Sequence, residues 1–280
     1  MKNESGWLTG QAAPAPGLPR VIRGFHITVY ACVPGPEKLT FAPDGTLYVG
    51  QGGSVDRIRC VPPGGGASAP FGPPQQDPDA VLFDACGRIS RVKRSVLVGG
   101  NGILAAVFPD GSSAELFDAG FSDVDDMKFD RSGRLIFSDD APQVLASAGG
   151  PPFVLFATPS RPGSIAIDPD NRIFVALSDG TIRVYNRSGT LAGTFASSLA
   201  TGLNTYIVFG EGAGGFGRFL YVLSGGTLLR FSANGKGTVI GTGFDSSQAS
   251  GLGFVFGPDH ALYVSDFDHD RVLRIARGER

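Results

Sequence analysis

One segment recurs along the chain and limits what it can fold into. Leu39 to Val49 reads LTFAPDGTLYV, and MKFDRSGRLIF (Met127–Phe137), IAIDPDNRIFV (Ile165–Val175) and FVFGPDHALYV (Phe254–Val264) match it in length without gaps. Each is a short apolar strand, a tight turn and a second apolar strand. Two looser copies fit the same frame, one starting at Val81 and running through an insertion to SVLVG, the other starting at Ile207 and running into FLYVLSG. A period of about 40 residues built from short strands is the mark of a propeller blade with four strands per repeat. The fourth copy shows the whole unit as SIAIDPDN, RIFVALSD, GTIRVYNRSG and TLAGTFA. Gly, Asn, Asp and Pro supply its turns, and Val, Ile, Phe, Leu and Tyr supply its strands.

The fold expected is therefore all-β, a six-bladed β-propeller. The sixth copy stops after RVLRIA, short of an outermost strand, while FHITVYA (Phe25–Ala31) alternates like a strand ahead of the first copy. The N-terminal strand is expected to complete the last blade and close the ring, which leaves no long sheet edge unpaired. Residues 1–20, rich in Pro, Ala and Gly, read as a flexible leader, and residues 21–280 as one propeller domain.

Net charge is −2 and the basic residues are scattered, so nothing in the sequence forms an electrostatic footprint for nucleic acid. No apolar run is long enough to span a bilayer and the start does not read as a signal peptide. A soluble monomer acting on a small molecule is expected, with the compartment left open because a trimmed exported protein would look the same. Cys32, Cys60 and Cys86 contain no Cys-x-x-Cys pair. They are expected to be buried free thiols, with a Cys60–Cys86 bridge as the alternative.

In a propeller the innermost strand, strand a, lines the central channel, and the loops entering it share one face, the top, with the loops joining strands b and c. The residue just before strand a, read through the six frames, is Glu37, Asp79, Asp125, Gly163, Thr205 and Leu252. Three successive blades thus offer a carboxylate at one channel mouth, with oxygens of Asp126, Asn204 and Ser250 close by. Carboxylates held together raise one another's pKa until a cation or a proton resolves the conflict. Glu37, Asp79 and Asp125 are accordingly the candidate metal ligands, for calcium first. Asp126, Asp139 and His269 are the candidate bases beside it. His26 falls on the closing strand, and His260 on an a–b turn of the opposite face.

Other features read as structural. Asp266 to Asp270 lacks the glycine and distal glutamate of an EF-hand, and Asp270–Arg271 and Asp56–Arg57 look like corner ion pairs. EGAGGFG (Glu211–Gly217) has no helix after it to hold a phosphate. RISRVKR (Arg88–Arg94) reads as a long basic hairpin turn on the bottom face.

These repeats resemble those of the NHL, regucalcin/gluconolactonase, strictosidine-synthase and paraoxonase group of six-bladed propellers over residues 25–277. GPEKLTFAPDGTLYVG (Gly35–Gly50) is similar to the first blade of strictosidine-synthase-like and lactonase-like members. The resemblance implies that Glu37 binds an axial divalent metal and that Asp125 stands where the family has Asn. Two further ligand positions fall on Pro162–Ser164 and Leu252–Gly253, which lack ligand side chains there, and Asp79 is expected to compensate. Tyr263–Val272 is similar to the NHL signature, many of whose members are binding platforms. The expected function is a calcium-dependent hydrolase of a lactone or ester. The alternatives are a non-enzymatic binding propeller and a metal-independent lyase or condensing enzyme in the manner of strictosidine synthase.

Overall fold

The computed structural model describes residues 17–53, 55–118, 121–246 and 252–278. Six antiparallel sheets of at least four strands follow one another around an axis. Strand a of each blade is Pro36–Phe41, Ala80–Asp84, Met127–Phe129, Pro162–Ile167, Thr205–Phe209 and Phe254–Phe256 in turn. No α-helix occurs among the described residues, only a single 3-10 turn at Phe267–His269. No helix there is long and apolar enough to cross a membrane.

The four gap-free copies are equivalent at atomic detail. Their first and last residues pair across strands a and b: Leu39 with Val49, Met127 with Phe137, Ile165 with Val175 and Phe254 with Val264. In each turn the fourth residue's N–H donates to the eighth residue's carbonyl, and the seventh's N–H donates back to the fourth's carbonyl. That closure forces the seventh residue into the left-handed region, where Gly45, Gly133, Asn171 and His260 stand with φ of 89°, 79°, 60° and 60°. His260 is thus a turn residue.

Side chains alternate along each strand, so every sheet packs one face on the preceding blade and the other on the next. The buried apolar residues accordingly form six clusters, one at each blade interface. Ile165 faces the third blade while its neighbour Ala166 faces the fifth.

The ring closes through the chain's own ends. Phe25–Cys32 runs antiparallel to Arg271–Arg277 as the fourth strand of blade six. Two short strands add to outer edges: Gly66–Ala67 lies parallel to Ala31–Cys32, and Arg20–Val21 pairs with Thr242 and Gly241 of blade five. Arg20, the last residue assigned to the leader, therefore takes part in a sheet, and residues 1–16 lie outside the described residues.

The basic insertion of blade two is a hairpin turn wound around one carboxylate. Asp84, buried, accepts from the N–H of Arg88, Ile89 and Ser90 and from Ser90 Oγ. Its arginines reach the adjoining blades: Arg94 pairs with Asp44 at 2.6 Å, and Arg88 donates to the Ser132 carbonyl. Two expectations need correction. All three cysteines are free, but Cys32 and Cys86 are exposed and Cys60 is half-buried: Cys32 ends the fourth strand of blade six, Cys86 lies in a turn, and Cys60 is on the third strand of blade one. Arg271 pairs with Asp266 at the end of strand b, not with Asp270, whose carboxylate accepts from Gly35 N–H.

Candidate functional site at the channel mouth

Strand a of blade one carries a register shift between Pro36 and Leu39, which places Glu37 and Lys38 at the mouth. Both are buried. Gly52, on the loop after strand b, lies flat against the Glu37 carboxylate, and a Cβ there would stand 2.0 Å from Oε1.

Asp79 precedes strand a of blade two, with its N–H donated to the Asp77 carbonyl at 2.7 Å. Asp125, fully buried, stands two residues before strand a of blade three. The three predicted ligands do not themselves form one tight group. The carboxylate oxygens that approach within 4.8 Å of one another belong to Asp77, Asp79 and Asp123, and to Asp123, Asp125 and Asp140. Asp123 joins the two sets, its Oδ1 fixed by the N–H groups of Asn101 and Val124 at 2.7 and 2.8 Å. Glu37 belongs to neither set.

The electrostatics tie these residues together. Burial pushes Glu37 up to about 8, with Asp79 and Asp77 adding to it. Burial and then Asp77 push Asp79 up to about 7. Burial pushes Asp125 up to about 8, against the pull of Lys38 and Arg161. The Lys38 ammonium lies 5.1 Å from the centre of the Tyr206 ring and acts on Glu37, Asp79, Asp125 and Asp126. Arg161, on the loop before strand a of blade four, lies against Asp125 and Asp140. Even with these two cations the mouth holds an excess of carboxylates.

The candidate bases stand apart from this set. Asp126 Oδ1 accepts from Met127 N–H and Lys128 Nζ, and Oδ2 from Ser164 Oγ and Ile165 N–H. Burial alone raises its pKa, but Lys128, Lys38 and these bonds prevail and hold it below the usual carboxylate range. Asp139 is engaged in the same way: burial is outweighed by donors from Ser122, Gln143 and Asp123, and its pKa too is lowered. Both carboxylates brace loops. His269 is half-exposed on the corner of blade six, its Nδ1 2.7 Å from Asp266 Oδ1, which leaves Nε2 turned away from that partner. Asp266 also binds Arg271. Ser250 lies outside the described residues.

Below the mouth the channel narrows to a pocket bounded by Lys38, Val81, Asp126, Lys128, Ser164, Tyr206 and Phe254, one or two from each blade. A cavity of about 900 Å³ opens on the opposite face between blades four and five, floored by Phe174, Phe195, Phe209 and Phe231. Size alone would favour it. Yet of the carboxylates lining it Asp168 is paired with Arg172 and Asp170 and Glu211 are exposed, and no residue lining it has a buried polar atom without a partner among the described residues. At the mouth, by contrast, Glu37 Oε2 and Asp125 Oδ2 are buried acceptors with no donor.

No protein-family model matches the sequence, and no curated protein does. Solved structures are similar in fold. A gluconolactonase from Xanthomonas campestris superposes with a TM-score of 0.71 at 16% identity, over 98% of this chain and 99% of that one. A catalytically inactive histidine-to-alanine variant of virginiamycin B lyase from Staphylococcus aureus, solved with quinupristin, gives 0.65 at 12% identity over 90% and 99%. A calcium structure of a Trichoderma reesei carbohydrate-active enzyme of family AA12 gives 0.65 at 12% identity over 96% and 100%. The expected kinship in architecture is thereby met, and at these identities it concerns the fold.

Proposed function

We propose that this chain is a divalent-cation-dependent hydrolase of a lactone or ester, working at the top of the channel. The observation that carries the reading is the pair of buried carboxylate oxygens, Glu37 Oε2 and Asp125 Oδ2, that have no hydrogen-bond donor. Buried acceptors are almost always satisfied, and an anionic oxygen set left open points to a cation. Asp123, Asp125 and Asp140 would hold the ion, with Asp77, Asp79 and Glu37 beside them; hard oxygen donors of this kind suit calcium. A bound ion supplies Lewis-acid polarisation of a carbonyl and a lowered pKa for attacking water.

The chain's own part is to orient and to take a proton. Asp126 and Asp139 fix the loops of blade three, and Lys38 limits repulsion among the acids. His269, with Nδ1–H donating to Asp266, keeps Nε2 as the acceptor for the proton of the attacking water. The superposition with a gluconolactonase and with a calcium structure supports the class of reaction and the ion. The same Asp266–His269 pair also favours a second reading, a lyase in which His269 removes a substrate proton, since a histidine replacement accompanies inactivity in virginiamycin B lyase.

Thermal melting during calcium and chelator titration, on the wild type and on Asp125→Asn and Glu37→Gln, tests the cation. A chelator-sensitive melting temperature, blunted in both variants, is expected. Lactones and aryl esters then test the reaction, with turnover lost in Glu37→Gln and in His269→Ala. A melting temperature indifferent to calcium in the wild type sinks the metal reading.

A further inference from the structure

The cavity of the opposite face takes no part in the chemistry of the mouth. It is a groove of about 900 Å³ that follows the seam between blades four and five, from Ile167 and Phe209 on the innermost strands to Thr194 on the outermost strand of blade four. Neighbouring strands lie about 4.8 Å apart, so the groove is about 14 Å long, a size that suits a small organic molecule. Blade seams are ordinarily filled by interdigitating side chains. Here the walls carry small residues, Ala192 and Gly193 on blade four and Ala233 on blade five, and a Cβ built at Gly193 meets nothing within 4 Å.

The floor of the groove is aromatic. Phe174 stands edge-on to Phe195 and Phe209, with ring centres 5.2 and 4.9 Å apart, and Phe231 lies 5.9 Å from Phe195. Phe195 and Phe209 are only half-buried, so part of their ring surface remains in contact with water. The charges gather at the inner end, on the a–b turns of blades three, four and five. Lys128 stands between the groove and the channel pocket, held to Asp126 at 2.5 Å. Arg172 is engaged by Asp168 at 2.7 Å, and Glu211 faces His260 Nδ1 at 3.6 Å. Arg131 and Arg218 line the groove, are exposed and make no ion pair among the described residues. Two unpaired guanidinium groups thus stand against the single unpaired carboxylate of Asp170, which favours an anion at this end.

We propose that this groove binds an aromatic carboxylate, its rings lying on the phenylalanine floor and its carboxylate turned to Arg131 and Arg218. The site is separate from the channel mouth and does not rest on the hydrolase reading. Aromatic rings prefer edge-on or offset contact with other rings, which the half-buried Phe195 and Phe209 still offer. Covering those rings removes apolar surface from water, the main source of affinity in a groove of this kind. Guanidinium N–H groups pair with carboxylate oxygens through charge-assisted bonds. Because both arginines are exposed, that contact adds less than the rings do and decides chiefly which aromatic compounds are accepted. The acids of the mouth lie on the other face, so binding should be indifferent to calcium.

The test is fluorescence titration of anilinonaphthalene sulfonate into the full chain, followed by its displacement with naphthoate and with the uncharged naphthylmethanol. Saturable dye binding is expected, the same with calcium and with chelator, and naphthoate should displace the dye at least fivefold more tightly than naphthylmethanol. Ala192 and Ala233 are exposed on the two walls, so a large side chain at either fills the groove without entering the core. Ala192→Trp and Ala233→Trp should each weaken naphthoate at least tenfold. Arg131→Gln combined with Arg218→Gln should abolish the preference for naphthoate and leave naphthylmethanol unchanged. Melting temperatures equal to that of the wild type show that the variants are folded. No saturable binding to the wild type, unchanged affinity in both tryptophan variants, or equal displacement by the two naphthalene compounds overturns the proposal. Loss of binding on chelation would place the dye at the mouth and overturn it as well.

Discussion

At the scale of single residues, the left-handed seventh position of the repeat makes a sharp prediction for His260. A β-branched residue there should cost about 1–2 kcal/mol, because its Cβ crowds the carbonyl in that conformation. Glycine should leave stability within about 0.5 kcal/mol, its conformational freedom gained in the turn being offset by its unfolded-state entropy. Denaturant unfolding of His260→Val and His260→Gly checks both. Lys38 carries a second prediction, of different size at the two ends of the pH range. Below pH 5 Glu37, Asp79 and Asp125 are protonated and the ammonium keeps Asp126 as its neighbouring carboxylate, so Lys38→Met should cost least there. Above pH 8 they are ionised and the same change should destabilise; melting at pH 5 and pH 9 reads the difference. Lys38 was not legible as a site residue because a single lysine in an apolar strand reads as solvated. Asp123 did leave a signal: Asp77-Pro-Asp79 and Asp123-Val-Asp125 place the same Asp-x-Asp just ahead of strand a in successive blades. Taking only the last residue before each strand passed over the first aspartate of both. Arg161 left none beyond its charge.

Among the elements, the hairpin of blade two shows how a departure from the repeat is stabilised. Asp84 organises three backbone N–H groups of the turn, together with the Ser90 hydroxyl, which also reaches the Val92 carbonyl. Asp84→Ala is expected to destabilise the chain by about 3 kcal/mol, since removing one buried acceptor strands several donors at once. Urea unfolding should show the midpoint shifting with little change in slope. The strands were legible because side-chain alternation and turn chemistry agree: each segment expected for blade four holds one strand, Pro162–Ile167, Ile173–Leu177, Ile182–Tyr185 and Leu191–Ala196, the first starting two residues ahead of its segment. The cysteines were misjudged because a thiol's apolar character says nothing about whether its strand is inner or outer. Likewise Asp126 and Asp139 look like any acid near the mouth, and only their donors show them to be braces.

For the whole molecule, the raised carboxyls set a stability profile. Glu37, Asp79 and Asp125 hold protons in the folded state at pH values where the unfolded chain has released them. Their protonation favours folding below about pH 4, and that contribution falls as pH rises through about 7 to 8. Stability without divalent ions should therefore decline from acid toward pH 8, and calcium should stabilise most at the upper end, where it replaces protons. Melting curves from pH 5 to pH 9 with calcium or chelator measure both. Closure of the ring also has a consequence for synthesis. Phe25–Cys32 leaves the ribosome early, whereas its partner, Arg271–Arg277, is made nearly last. At ordinary elongation rates that first strand waits between roughly 12 and 50 s with its edge unsatisfied. Five blades can stack in that interval, but the circle cannot lock, so a chain stalled before Arg271 keeps its own Phe25–Cys32 open, and a finished copy's Arg271–Arg277 could pair on it.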